Sequence, residues 1–249
     1  MSLKKADLHL HSNYSPDAFS SIREILDKAK KAGLDIIALT DHDTIEGAKE
    51  AQKIAPEFGL EVVIGEELNT QQGEIIALFI KESIKPGKPL LETIKEIHSQ
   101  GGLAMACHPL SFWQEGIGEK VLCQIASKIE AVEILNAVWT GRKNFKKLQN
   151  LNQEVLKLAP VAGSDAHFAF LVGRAYTVFE GKDAQDLYWA IKNKLTAVEG
   201  GFWGAFDYLS YARYWLGHDI KKWGPLIIFD LIWSARKLRK AFRRFAEKV

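Results

Sequence analysis

The sequence of 249 residues contains only two cysteines, Cys107 and Cys123. So few thiols exclude a disulfide framework and a zinc site built on cysteine. Both stand among apolar residues and are expected as buried free thiols. No apolar run approaches the roughly 18 residues of a membrane-spanning helix; the longest candidate, GPLIIFDLIW, is broken by Asp230. The start, MSLKKADLHL, lacks the apolar stretch of a signal peptide, so the expected location is cytoplasmic. Net charge is also small, +2, and uneven. From Asp230 to Val249 seven Lys and Arg face two acids, which leaves a basic tail on a slightly acidic body. A body without a basic surface gives no reason to expect a stable nucleic-acid complex. Internal repeats and low-complexity tracts are absent as well.

An apolar fraction of 47% and a charged fraction of 26% describe an ordinary globular chain with material for a full core. Short runs rich in Val, Ile and Leu alternate with helical runs from ADLHL at residue 6 to DAQDLYWAIKNK at residue 183. Buried runs separated by helices predict a mostly parallel sheet. About seven such units in roughly 200 residues favour a (β/α) barrel over an open sheet. The alternation stops at Gly200. Residues 200–249 hold four of the seven tryptophans and the cationic tail. The expected organisation is therefore a barrel over 1–199 and a helical, aromatic and basic extension over 200–249. Within 226–249, apolar Ile228, Leu231, Ile232, Ala235, Leu238, Phe242 and Phe245 recur at helical spacing between cations. Such a helix either lies on an anionic membrane surface or packs on the barrel or a second subunit. Packing is the favoured expectation.

The polar residues that break the apolar runs fall after successive strands. His9 and His11 close the first run, Asp41 and His42 follow the second, and Glu66 and Glu67 follow the third. His108 follows LAMAC, Asn136 ends AVEIL, and Asp165 and His167 follow PVAGS. In a barrel of this kind the site is assembled from several such loops at the carboxyl end of the strands. Residues i and i+2 of a strand project to the same side, so His9 and His11 can reach one metal, and Asp165 with His167 repeats the spacing. Imidazole nitrogen and carboxylate oxygen suit Zn²⁺, Mn²⁺ or Fe. The donors exceed what one ion needs, so two or three divalent ions with a bridging carboxylate are expected. A lone histidine in a strand is more often a core or surface residue. His98 and His218 have no partner motif and keep that reading.

Together, DLHLHSNYSPD, ALTDHDT, VIGEELNT, CHP and GSDAH resemble the PHP (polymerase and histidinol phosphatase) family of metal-dependent phosphoesterases, in order and rough spacing, over about residues 4–200. The resemblance implies an α/β fold, a distorted seven-stranded (β/α) barrel with two or three metal ions. By position, His9, His11, Glu67 and Asp165 look like ligands of a first ion. Glu67 would bridge to a second ion that also takes His108, and Asp17, His42 and His167 look like ligands of a third. Many members carry a further histidine on the strand after the bridging glutamate; here Glu74 stands in its place. It is either an oxygen ligand, which would favour a harder ion such as Mn²⁺, or a solvated residue at a strand start.

This ligand set implies hydrolysis of a phosphate ester by a hydroxide held between two ions, which also bind the phosphate oxygens. Glu67, Asp165 and His167 are the residues expected to carry it, with His167 or His42 as alternative acid or base. Arg142 and Arg174 either steady the phosphate or are solvated; Asp41 and Asn136 would orient ligands. The expected substrate is a small phosphoester, a nucleotide or a short oligonucleotide. A metal amidohydrolase would also use His-x-His and a late Asp, but often needs a lysine from a middle strand, and none lies in EIIALFI or LAMAC. An HD phosphohydrolase, suggested by His42-Asp43, would be all-helical. A barrel retained only for binding or regulation is the remaining alternative.

Overall fold

The structure, a computed structural model, describes residues 2–210. The chain divides into two compact units, Met1–Trp203 and Gly204–Val249. The segment 226–249, expected to pack on the barrel or a subunit or to lie on a membrane, falls outside the described residues, as does His218. No helix among the described residues is long and apolar enough to cross a membrane.

The first unit is an α/β barrel with nine strands rather than seven. They are β1 (Ser2–Leu10), β2 (Ile36–Leu39), β3 (Glu61–Thr70), β4 (Gly73–Leu78), β5 (Leu103–Ala106), β6 (Ala131–Asn136), β7 (Ala159–Gly163), β8 (Ala175–Gly181) and β9 (Thr196–Gly200). Their order in the sheet is β7-β6-β5-β4-β3-β2-β1-β8-β9. The sheet curls until β7 returns to β1: the Asp165 N–H donates to His9 O (2.9 Å) and the His11 N–H to Ala166 O (3.0 Å).

The expectation of a mostly parallel sheet needs correcting. β1–β2, β2–β3, β5–β6 and β6–β7 are parallel, whereas β3–β4, β4–β5, β1–β8 and β8–β9 are antiparallel. The reason lies at Gln71-Gln72. These two residues close a hairpin, far too short for the crossover that a parallel pair requires. Consequently Glu66 and Glu67 lie inside a ten-residue β3 rather than in a loop after it.

Six α-helices lie among the described residues of the first unit: α1 (Ile22–Lys31), α2 (Glu46–Ile54), α3 (Leu90–Ser99), α4 (Glu119–Ile125), α5 (Trp139–Leu151) and α6 (Ala184–Lys192). In α1, Ser21 and Glu24 form a reciprocal capping box, and Ile22, Ile25, Leu26 and Ala29 bury one stripe. Strand side chains alternate between two apolar layers. Ala6, Leu8, Ile36, Ala38, Val63, Ile76 and Met105 share one core with Val161 and Phe179. Ile75, Ala77, Ala104 and Val132 pack with helix residues such as Ile94 and Leu122. Burial on both faces explains the unbroken apolar runs of the strands. Cys107 is buried as expected, but Cys123 is exposed: α4 turns Leu122 and Ile125 inward and leaves Cys123 outside.

Two register shifts prepare the site. One lies in β1 between Asp7 and Leu10, the other in β6 between Glu133 and Leu135. A bulge adds one residue and so re-aims the side chains that follow. Ala6 and Leu8 thus join the barrel core, while the next residue, His9, turns to meet Glu133 across the barrel. In β6 both Glu133 and Asn136 face the same group of donors.

Candidate metal centre

His9, His11, Glu67, His108 and Asp165 come together at this end of the barrel, each less than a tenth exposed. The donor atoms face one another. His9 Nε2 lies 3.1 Å from His11 Nε2, 3.3 Å from Glu67 Oε2 and 3.6 Å from Asp165 Oδ1. His11 Nε2 lies 3.2 Å from Glu67 Oε2 and 3.5 Å from Asp165 Oδ1. The other Glu67 oxygen, Oε1, is 2.9 Å from His108 Nε2, and Glu74 Oε2 is 3.9 Å from that nitrogen. Glu74 is itself buried, which removes the reading of a solvated strand-start residue. Cys107 joins this side: its sulfur and ligand atoms of Glu67 and His108 lie within 4.8 Å of one another.

The tautomers follow from the outer partners. His9 Nδ1 is 3.0 Å from the buried Glu133 Oε1, so this nitrogen donates outward and Nε2 is the one turned to the cage of donor atoms, available to a metal. His11 Nδ1 meets Ser15 Oγ at 3.3 Å. That hydroxyl donates its own proton to Asp41 Oδ1 (2.9 Å), so it accepts from His11, and His11 Nε2 is again the nitrogen turned to the cage. Asp41 is fixed by the Ser12 N–H (2.6 Å) and hydroxyl (2.7 Å). Asn136 bonds both Glu133 Oε2 and Asp165 Oδ2 (3.1 Å each). The two Nε2 atoms, 3.1 Å apart and flanked by carboxylate oxygens, would offer their lone pairs to an ion bound between them. Five contacts of 3.1–3.6 Å join these four donors, close to the roughly 3.3–3.6 Å that separates ligand atoms around an ion with bonds of about 2.0–2.2 Å. The residues present therefore fit a divalent ion.

A further set lies nearer solvent. Asp17 Oδ2 is 3.4 Å from both His42 Nε2 and His167 Nε2. His167 Nδ1 meets Asp165 O at 3.1 Å, which leaves Nε2 to face Asp17. Asp17 Oδ1 is buried and bonds to no protein group. Ligand atoms of His11, His42 and His167 lie within 4.8 Å of one another.

Charge balance points the same way. Burial would push Glu67 and Asp165 up, but the surrounding imidazoles, His9 foremost, hold both well below the usual carboxylate range. Burial would lower His42, yet Asp17 and Glu67 outweigh it and raise it to about 10. The neighbouring Glu66 behaves oppositely. It faces away, accepts from the Ser83 hydroxyl (2.5 Å) and the Ile84 N–H (2.9 Å), and is pushed up to about 7 by burial. Backbone strain concentrates here too: His108 (φ 27°) and Asp165 (φ 51°) adopt left-handed conformations that cost a non-glycine residue about 1–3 kcal/mol.

Glu133 is a residue the sequence reading missed. It orients His9 and also accepts the His108 N–H at 2.7 Å. A lone carboxylate inside the apolar run AVEIL was the available signal, because an unpaired charge is almost never buried. Gln114 was missed as well; its amide donates to Asp165 Oδ2 at 2.5 Å. Arg142 stands exposed in the first turn of α5, and Arg174 stands exposed immediately before β8.

The model of the PHP domain matches residues 7–222. The chain belongs to the PHP domain family. Among PHP relatives and similar proteins, it is 44% identical over 143 residues to the uncharacterized protein MJ1587 of Methanocaldococcus jannaschii, covering 53% of this chain and 82% of that one. It is 45% identical over 67 residues to a 5'-3' exoribonuclease of Haemophilus influenzae, covering 27% of this chain and 24% of the other. The fold resembles that of a two-domain protein from Bacteroides vulgatus described as containing a predicted PHP-like metal-dependent phosphoesterase. That likeness has a TM-score of 0.67 at 20% identity and covers 80% of this chain and 65% of the other.

Proposed function

We propose that this PHP protein is a metal-dependent phosphoesterase. The observation that carries the reading is the cage of His9, His11, Glu67 and Asp165, whose donor atoms are joined by five contacts of 3.1–3.6 Å, the spacing of ligands around one ion. Glu67 presents one oxygen to this cage and the other to His108, the disposition of a carboxylate that bridges two ions. Asp17, His42 and His167 would hold a third, and Glu74 would serve the second as an oxygen ligand.

Divalent ions held there would supply Lewis acidity, making a nucleophile of water at neutral pH and offsetting charge on the phosphoryl oxygens. In the net reaction water gives its oxygen to phosphorus, the ester P–O bond breaks, and the leaving alkoxide takes a proton. The chain's own part is positional. Glu133 and the Ser15–Asp41 pair fix the two inner imidazoles, and Asn136 and Gln114 fix Asp165. With the third position empty, His167, partly exposed with Nε2 beside Asp17, is the group suited to pass that proton; as a ligand of a third ion it would not be free to do so.

Substrates proposed for this centre are small phosphoesters, nucleotides and short oligonucleotides. The partial likeness to an exoribonuclease supports the last two and weighs against treating nucleic acid as foreign to the site. The test is phosphate release from a panel of mono- and diesters, before and after chelation and with added Mn²⁺ or Zn²⁺, alongside metal analysis of the purified protein. Release that chelation abolishes and metal restores is expected. Bound metal with no hydrolysis of any phosphoester would overturn the proposal.

A further inference from the structure

Strand β5 alternates its side chains: Leu103 and Met105 enter the barrel core, and Ala104 and Ala106 pack toward the helices. The alternation runs one residue past the strand, so Cys107 also enters the barrel core, where it is fully buried. In an extended chain the next side chain would turn away. His108 does not, because its backbone is left-handed (φ 27°) and its N–H is held by Glu133 Oε2 at 2.7 Å. Two adjacent residues thereby reach one carboxylate. His108 Nε2 lies 2.9 Å from Glu67 Oε1, and Cys107 Sγ lies within 4.8 Å of ligand atoms of both residues.

The thiol does not stand alone. Glu67 and His108 face it, Glu74 Oε2 is 3.9 Å from the same histidine nitrogen, and all three side chains are less than a tenth exposed. Ligand atoms around a zinc ion with bonds of about 2.0–2.3 Å stand roughly 3.3–3.8 Å apart, so movements on the order of 1 Å would close these donors on an ion. A buried cysteine that only packs is a small apolar side chain, and several residues could replace it. One placed under the outer oxygen of a proposed bridging carboxylate adds a soft, negatively charged donor. Burial, and then the carboxylates of Glu67, Glu74 and Glu133, push this thiol well above its usual range, so a cation among them would relieve both effects.

We infer that Cys107 Sγ is a thiolate ligand of the second ion, alongside Glu67, His108 and Glu74, and that it makes this position prefer Zn²⁺ over Mn²⁺. Glu74 alone would favour the harder ion; sulfur reverses that preference. This is one thiolate in a mixed set, not a site built on cysteine. As the sulfur–metal bond forms, the S–H bond breaks and its proton passes to solvent. The inference rests on the second ion proposed above and not on ester hydrolysis.

The test uses the full chain carrying Cys123→Ser, which removes the exposed thiol. The chain has two cysteines, so any thiolate signal left belongs to Cys107. Co²⁺ is titrated into metal-free protein while the near-ultraviolet thiolate-to-cobalt charge-transfer band is followed. The band should be weak through the first equivalent and rise with the second. Adding Cys107→Ser or Cys107→Ala should abolish it while tight binding of the first ion persists, which also shows that the variant is folded. In Zn²⁺ against Mn²⁺ competition for the second position, the preference for Zn²⁺ should fall at least about tenfold in these variants, no less than loss of an outer partner costs. Two bound cobalt ions without the band would overturn the inference, even if neither Cys107 variant folds. So would a band that survives Cys107→Ala, or a chain that takes up only one ion at saturating cobalt. Ester hydrolysis with two ions and no band would leave the phosphoesterase reading intact and sink the thiolate. The band without hydrolysis of any ester would do the reverse.

Discussion

On the Oε2 side of Glu67, donor atoms of His9, His11 and Asp165 crowd within 3.1–3.6 Å of one another, and both imidazoles are clamped from behind. On the Oε1 side only His108 Nε2 comes as close, at 2.9 Å; Glu74 Oε2 stays 3.9 Å from it, and His108 Nδ1 has no protein partner. The first arrangement is set by the backbone and by buried hydrogen bonds before any ion arrives. The second leaves its geometry to be completed on binding. A preorganised cage spends less of its binding free energy on ordering, so the two sides should differ in affinity. The proposed first ion should be the tight one, and the second the one lost on dilution or mild chelation.

The largest effect that would sharpen this contrast is expected from His9→Ala. It removes one corner of the cage, and tight binding of the first ion should fall by well over the roughly 10–100-fold that loss of an outer partner costs. Phosphoesterase activity should fall with it. Chelator competition with purified protein measures the first and phosphate release the second. Retained tight binding would break the comparison. Glu133→Gln comes next. It leaves every proposed ligand in place but withdraws the carboxylate behind His9, and metal affinity should fall about 10–100-fold. The same competition assay checks it.

Gly163→Ala probes the packing on which the cage depends. A Cβ there would sit 2.3 Å from His9 Cβ and 2.8 Å from Glu133 Oε1. Overpacking of this kind costs about 1–3 kcal/mol, to be read as a lower midpoint in urea. Glu74→Gln, which keeps one oxygen donor but loses the charge, should weaken only the looser side, by about tenfold, the lower end of what loss of an outer partner costs. Metal stoichiometry at limiting free metal should drop while tight binding of the first ion persists; loss of the tight ion instead would show that the two sides are not independent. The smallest effect separates the adjacent glutamates. Burial places Glu66 at about 7 in the folded chain against 4.5 unfolded, so the folded state holds its proton more firmly. Its contribution is full below about pH 4.5 and is lost as pH rises to about 7. Glu66→Gln should flatten the melting temperature of the chelated protein across that window, measured by thermal melts at stepped pH.

Much of the barrel and the cluster was legible because strand geometry is simple. Side chains two apart on a strand share a face, so His9 could be paired with His11 on spacing. Asp165 and His167 lie beyond β7 with Asp165 left-handed, so their meeting is the work of that turn and not of strand alternation. The structure brings all four together. The errors have equally simple causes. Gln71-Gln72 carries none of the Gly, Asn or Pro that usually announces a hairpin, so β3 was cut short and β4's direction was missed. β9 is half-exposed along its length and reads as a continuation of the loop after α6. Cys123 was misjudged because neighbours in sequence are not neighbours on a helix face. Glu133 and Gln114 could not be given partners from sequence, since both reach across the fold, 124 positions to His9 and 51 to Asp165.

The register shift in β1 carries a lesson for comparing such chains. Ala6 and Leu8 keep one beat of the strand, and His9 and His11 keep another, offset by a single residue. The apolar stem and the histidine tip are therefore separate phases of one strand, joined at a fixed seam. Deleting one residue at that seam would leave the composition and both spacings almost untouched, yet swing the imidazoles toward the helices. An alignment that slides a gap across residues 7–10 would look harmless on paper and describe a protein that cannot gather its ligands.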